Sequence, residues 1–257
     1  MPARMPALFI GHGSPENALA DNAYTRHLAR LGRELPRPRA VLVVSAHYLT
    51  TGISVTVDDH PRTIHDFYGF PKPLYELAYP APGEPELARK VARLLGGTTD
   101  TAWGLDHASW SPMRHIWPDA DVPTVELSLD LDMPASEHYE LGSRLAALPD
   151  EGVLVLGSGN IVHNLWAVDW SRPTGGFGWN AEFDAAVASA LERRDDEALI
   201  EFESLPGSEM SVPTPDHYLP LLYCAAAAGL GAPAVTTYEG LELGSVSMRC
   251  VQFGEGR

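Results

Sequence analysis

The sequence predicts an α/β fold, a single domain over residues 1–257 in which a central, mostly parallel or mixed sheet is flanked by helices. Three observations carry that expectation. Short β-branched apolar runs, of a length that suits buried strands, begin at Ala7, Ala40 and Val153. Segments with helical spacing of apolar residues alternate with them, and no repeat period is visible. Each of the three runs also leads into a histidine beside small residues: Gly11-His12-Gly13, Ala46-His47-Tyr48, and Gly157-Ser158-Gly159 followed by His163. In an open α/β sheet, ligands bind just beyond the carboxyl ends of the strands.

The elements follow in order. After the first strand, Asn22 to Leu35 places Tyr24, Leu28, Leu31 and Leu35 on one helical face and stops before Pro36 and Pro38. Ala40 to Ser45 is the second strand, and Ile53 to Val57 alternates as a third. His60 to Pro73 is too rich in proline, glycine and aromatics for a regular element and reads as a long ordered loop. Pro85 to Leu95 is an amphipathic helix, and Trp103 to Pro112 reads as an aromatic loop around His107. Thr124 to Leu129 is a strand, Ala135 to Leu148 a helix, and Gly152 to Leu156 the strand that leads to His163. Asn180 to Glu192 and Asp196 to Glu203 read as helices. Pro215 to Gly229 is a helix entered through His217, with Gly229 as its cap. Gly244 to Phe253 closes the chain as a strand.

Composition excludes several classes of function. Apolar residues make up 45% of the 257 and charged residues 20%, as in a chain with a packed core. The longest apolar stretch, around Leu219 to Leu230, is too short to cross a bilayer, so no membrane partner is expected. A formal charge of −16 without a basic cluster argues against nucleic acid. No signal-peptide core precedes the first strand, and the two cysteines, Cys224 and Cys250, sit in apolar surroundings as buried thiols rather than a disulfide. The expected compartment is the cytoplasm.

The ten histidines are not equal. His27 and His138 read as exposed helix positions, His60 as a turn residue and His115 as packing beside Trp117. His12, His47, His163 and His217 instead sit beside Gly, Pro or Asn at element ends, where neutral imidazoles from distant parts of the chain can converge on a transition metal. Their spacing is not that of a zinc finger, and His-Glu-x-x-His is absent. The glycine-rich stretches at 157–159 and 175–178 lack the context of a phosphate loop. No Gly-x-Ser-x-Gly elbow supports Ser14 as a nucleophile.

As they stand, Gly11-His12-Gly13-Ser14-Pro15, Ser45-Ala46-His47-Tyr48, His65-Asp66-Phe67-Tyr68-Gly69-Phe70-Pro71, Leu105-Asp106-His107, Gly157 to Leu165, Asn180 to Asp184 and Pro215-Asp216-His217-Tyr218 resemble the class III extradiol ring-cleavage dioxygenases, the LigB-like family, in the branch that includes 4,5-DOPA dioxygenase. The resemblance implies His12, His47 and His217 as metal ligands. It implies His163 as an acid/base group titrating near neutral pH and His107 as a neighbouring catalytic residue. His65, Tyr68 and Tyr218 are expected to meet substrate, and Phe70, Trp103 and Trp110 to help wall a flat ring. The implied partners are a small aromatic diol and O2, with Fe(II) for activity, in a monomer or a homo-oligomer. Non-haem Fe(II) oxygenases usually present two histidines and a carboxylate. An all-histidine set also suits Zn2+, so a zinc-dependent hydrolase on the same cluster is the competing reading.

Overall fold

The computed structural model describes residues 4–255. In chain order they form β1 (Ala7–Gly11), α1 (Ala23–Glu34), β2 (Ala40–Leu49), β3 (Ser54–Thr56), α2 (Lys72–Tyr75), α3 (Pro85–Leu95), β4 (Thr98–Asp100), α4 (His107–Ile116), β5 (Thr124–Leu129), α5 (Ala135–Arg144) and β6 (Val153–Gly159). The second half supplies α6 (Gly178–Arg193), α7 (Asp196–Ile200), α8 (Ser208–Ser211), α9 (Leu219–Ala227), β7 (Ala234–Tyr238), β8 (Leu241–Glu242), β9 (Val246–Ser247) and β10 (Cys250–Phe253). Eight strands make one sheet in the order β4-β3-β5-β2-β6-β1-β10-β7, and β8 and β9 form a separate hairpin.

The expected class holds, and the sheet is mixed in a specific way. Its centre, β5-β2-β6-β1, is parallel. Antiparallel pairing enters on both sides, between β3 and β5 and at β1-β10-β7. Both faces of the parallel centre are covered, which is why its strands carry unbroken apolar runs. On one face Phe9, Leu42, Val44 and Val155 pack with Leu87 and Val91 of α3, Phe183 of α6 and Leu221 of α9. On the other, Leu8, Ile10, Val43 and Leu156 pack with Leu28 of α1 and with Trp110 and Met113 of α4. Residues on one strand alternate between the two cores because side chains alternate across a sheet.

Several expectations need correction. The stretch around His107 is not all loop: α4 begins at His107, because Asp106 accepts hydrogen bonds from the amides of Ala108 (2.9 Å) and Ser109 (3.4 Å) and so caps a helix that runs through Pro112. The single expected last strand is instead β9 and β10, and the helix expected from Pro215 is a 3-10 turn, Pro215–His217, followed by α9. Short β4 and the exposed edge strand β7 were not expected.

His27 and His138 are buried, not solvated. His27 packs 5.3 Å from the Tyr238 ring, and His138 ties α5 to α9 through the Tyr223 hydroxyl (3.1 Å) while contacting the Asp130 carbonyl (3.0 Å). Helical spacing alone misplaced both: both ring nitrogens of His138 are satisfied inside the core, and His27 is held there through Nδ1 by Arg30 (2.9 Å) with its Nε2 unpartnered. Cys224 and Cys250 are buried free thiols, as expected.

Candidate active site

The chain reverses sharply where β1 ends. His12 leaves the strand with its amide bonded to the Gly159 carbonyl of β6 (3.0 Å), and Gly13 then adopts φ +61°, a conformation costly for residues with a Cβ. His47 lies inside β2, beyond its last pairing with β6 at Ser45, where the register with β5 is irregular. His217 sits on the 3-10 turn before α9, pressed against the end of β6: its carbonyl accepts from the Asn160 amide (2.9 Å), and a Cβ on Gly159 would lie 2.1 Å from that oxygen. Three remote segments thus bring His12, His47 and His217 together, with one ligand atom from each lying within 4.8 Å of the others.

Hydrogen bonds fix the face each ring presents. Pro112 lacks an N–H, so the Ala108 carbonyl one turn earlier is free of its helical partner. That carbonyl accepts from the Ser158 hydroxyl (2.6 Å), which leaves the Ser158 oxygen to accept from His12 Nδ1 (3.1 Å). His12 Nε2 therefore carries its lone pair, and it stands 3.3 Å from His47 Nε2. His217 Nδ1 donates to the carboxylate of Asp216, and its Nε2 is buried with no hydrogen-bond partner. Asp66 holds the other side: its Oδ2 accepts from His107 Nδ1 (2.9 Å) and lies 3.4 Å from His47 Nδ1, and its Oδ1 accepts the first amide of α4 (2.9 Å).

Burial keeps three of these rings, His12, His47 and His163, uncharged. Burial, reinforced by neighbouring histidines, drives His12 and His47 well below the ordinary value. His163, stacked on His217 at 3.5 Å, is driven well below it too, by burial and by His217, and so departs from the expected near-neutral titration. Burial alone would raise Asp216, but the hydrogen bond and charge interaction with His217 outweigh it and bring it down to about 2. Neutral imidazoles backed by carboxylates are the donor set and supporting shell of a transition-metal centre. The orphaned, buried Nε2 of His217 is the atom such a metal would satisfy.

The cluster opens into a cavity of about 390 Å³ walled by Phe67, Tyr68, Phe70, Leu165, Val168 and Trp170. Of the residues expected to meet substrate, Tyr68 lines it at the mouth, 93% exposed. Tyr218 does not: it is fully buried, its hydroxyl donating to the Leu199 carbonyl (3.0 Å). His65 also stays out, bonded through Nε2 to the Leu77 carbonyl (3.0 Å) and packed edge-on against Trp110. It fixes the loop that carries Asp66. Trp110 is buried against the Ile64 carbonyl (2.8 Å), and Trp103 stacks on Tyr48. Aromatic character alone cannot separate a cavity wall from core packing. Asp66, Asp216 and Ser158 were missed, although both acids stand next to a histidine in the sequence.

With this geometry in hand, the chain can be set beside known proteins. The family described as the catalytic LigB subunit of aromatic ring-opening dioxygenase matches residues 6–242. The chain belongs to that family. It is 47% identical to the 4,5-DOPA dioxygenase extradiol of Escherichia coli (strain K12), over 98% of this chain and 95% of the relative. It is 37% identical to the protein of the same name from Beta vulgaris, over 95% of each. A crystal structure of an uncharacterised Escherichia coli K12 protein superposes with a TM-score of 0.85 at 43% identity, covering 98% of this chain and 100% of that one. The chain is an extradiol ring-opening dioxygenase, and nothing in these relationships favours the hydrolase.

Proposed function

We propose that residues 1–257 act as one catalytic domain that uses Fe(II) and O2 to open the ring of a small DOPA-like catechol, giving a semialdehyde acid. The observation that carries this reading is the convergence of His12, His47 and His217, with the buried Nε2 of His217 left without a partner. These three residues would hold the metal. Bound there, Fe(II) would supply Lewis acidity toward the diol and an electron route between ring and O2. Zn2+ would satisfy the same imidazoles and could occupy the site without supporting turnover.

The remaining roles fall to the protein's own groups. His163, neutral and beside the ligand set, accepts a phenolic proton and later returns it. His107, its Nδ1 held by Asp66, lines the cavity and meets a substrate hydroxyl there through its other ring nitrogen. Phe67, Phe70, Leu165 and Trp170 hold a flat ring and exclude water. Two buried free thiols suit a cytoplasmic setting. The reading is tested by oxygen uptake with L-DOPA, comparing protein reconstituted anaerobically with Fe(II) against a zinc-loaded sample. Uptake with a new visible chromophore in the iron sample alone is expected. Absence of uptake with any catechol, in protein shown to hold iron, overturns it.

A further inference from the structure

One acid on the cavity wall has no task in this scheme. Asp66 is engaged by His107 and His47, whereas no hydrogen bond or ion pair ties the Glu242 carboxylate among the described residues. Glu242 ends β8 and pairs with Val246 of β9, and Val246 in turn forms an antiparallel bridge with His163. Paired positions of an antiparallel ladder project to the same side. His163, Val246 and Glu242 accordingly form a row, and all three line the cavity.

Two strand spacings separate the ends of that row, about 10 Å. This is comparable to the length of a catechol carrying a two-carbon arm, with its hydroxyls toward His163 and its arm toward Glu242. Among the described residues lining the cavity there is no lysine or arginine. Burial raises the Glu242 carboxyl with no cation to offset it. The chain's charge of −16 also raises the local concentration of cations over anions.

We propose that Glu242 is a specificity-determining residue of this cavity and selects catechols whose side arm ends in an ammonium group over those whose arm ends in a carboxylate. The inference rests on the catechol-dioxygenase reading and names the substrate class within it. A carboxylate arm placed at the same point meets a like charge in a partly desolvated wall, and a neutral arm gains nothing there.

The test uses three probes of one shape: dopamine, 4-ethylcatechol and 3-(3,4-dihydroxyphenyl)propionate, with arms that are cationic, neutral and anionic. For each, kcat/KM is measured by oxygen uptake on the Fe(II) enzyme, and Kd is measured by calorimetry on zinc-loaded protein. Wild type should rank them in that order, with roughly tenfold between cation and neutral arm. Glu242→Gln should bring dopamine and 4-ethylcatechol within about twofold of each other, and Glu242→Lys should favour the acid. Equal values across the three probes, or a wild-type order that survives in Glu242→Gln, overturns the inference. If the probes are cleaved without regard to charge, Glu242 loses its role and the dioxygenase reading stands. If they bind in the expected order but iron-loaded protein takes up no oxygen, the reverse holds.

Discussion

His217 illustrates how one side chain becomes a ligand. Its Nδ1–H donates to the Asp216 carboxylate, so its Nε2 lone pair is aimed into the cluster and has nothing else to bond. Replacing His217 or His12 by Ala should abolish stoichiometric metal by elemental analysis while the far-ultraviolet circular dichroism is retained. His163→Ala should keep the metal and lower kcat by about 10²–10⁴-fold; turnover at the normal rate would remove His163 from the proton-transfer role. Asp216→Asn leaves a hydrogen-bonding group without the charge that holds the tautomer, and metal affinity should fall by about 10–100-fold in a chelator competition.

At the scale of elements, α4 and β6 hold the site in register. The proline in α4 frees a carbonyl, the Ser158 hydroxyl of β6 takes it, and Ser158 in turn orients His12. Pro112→Ala restores an amide that competes for the Ala108 carbonyl. The helix should survive, since alanine is a better helix former, and metal affinity should weaken in the same chelator assay. Unchanged affinity would show that Ser158 orients His12 without help from the proline. Gly159 is constrained by close approach: a methyl group there would meet the His217 carbonyl at 2.1 Å, and backbone on both sides must move. Gly159→Ala should destabilise the protein by about 1–3 kcal/mol, read as a lower denaturant midpoint, with metal lost in parallel.

For the whole molecule, the buried histidines link stability to pH. In His12, His47, His163 and His138, burial lowers the folded-state value below the ordinary 6.5, so the unfolded chain binds more protons at acid pH. Stability of the metal-free protein is therefore full above about 6.5 and falls as pH drops below it, by up to about 1.4 kcal/mol per histidine per pH unit. Asp216, held near 2 against an ordinary 3.8, acts in the same direction but only below about pH 4. A melting temperature of chelator-treated protein that declines steadily from pH 7 to 5 is expected, with a smaller decline once metal is bound. A flat profile would mean that these rings are already solvated.

Much was legible from local pattern. Apolar runs at Ala7, Ala40 and Val153 announced strands covered on both faces, because such a strand has no polar side to show. Proline marked where α1 stops. The histidines beside small residues at strand ends pointed to one edge of the sheet. Long-range packing decided the rest. Whether Tyr218 walls a cavity or fills a core, whether His138 meets water or Tyr223, and whether Asp106 caps a helix or sits in a loop depend on segments far away in the chain. So does the service of Asp66 and Asp216 to the histidines. Residue type and period, read from sequence, determine which elements form and which side chains can bind a metal. Only the tertiary structure decides which of those side chains share a cavity, because convergence, burial and the pairing of hydrogen bonds are properties of the assembled chain.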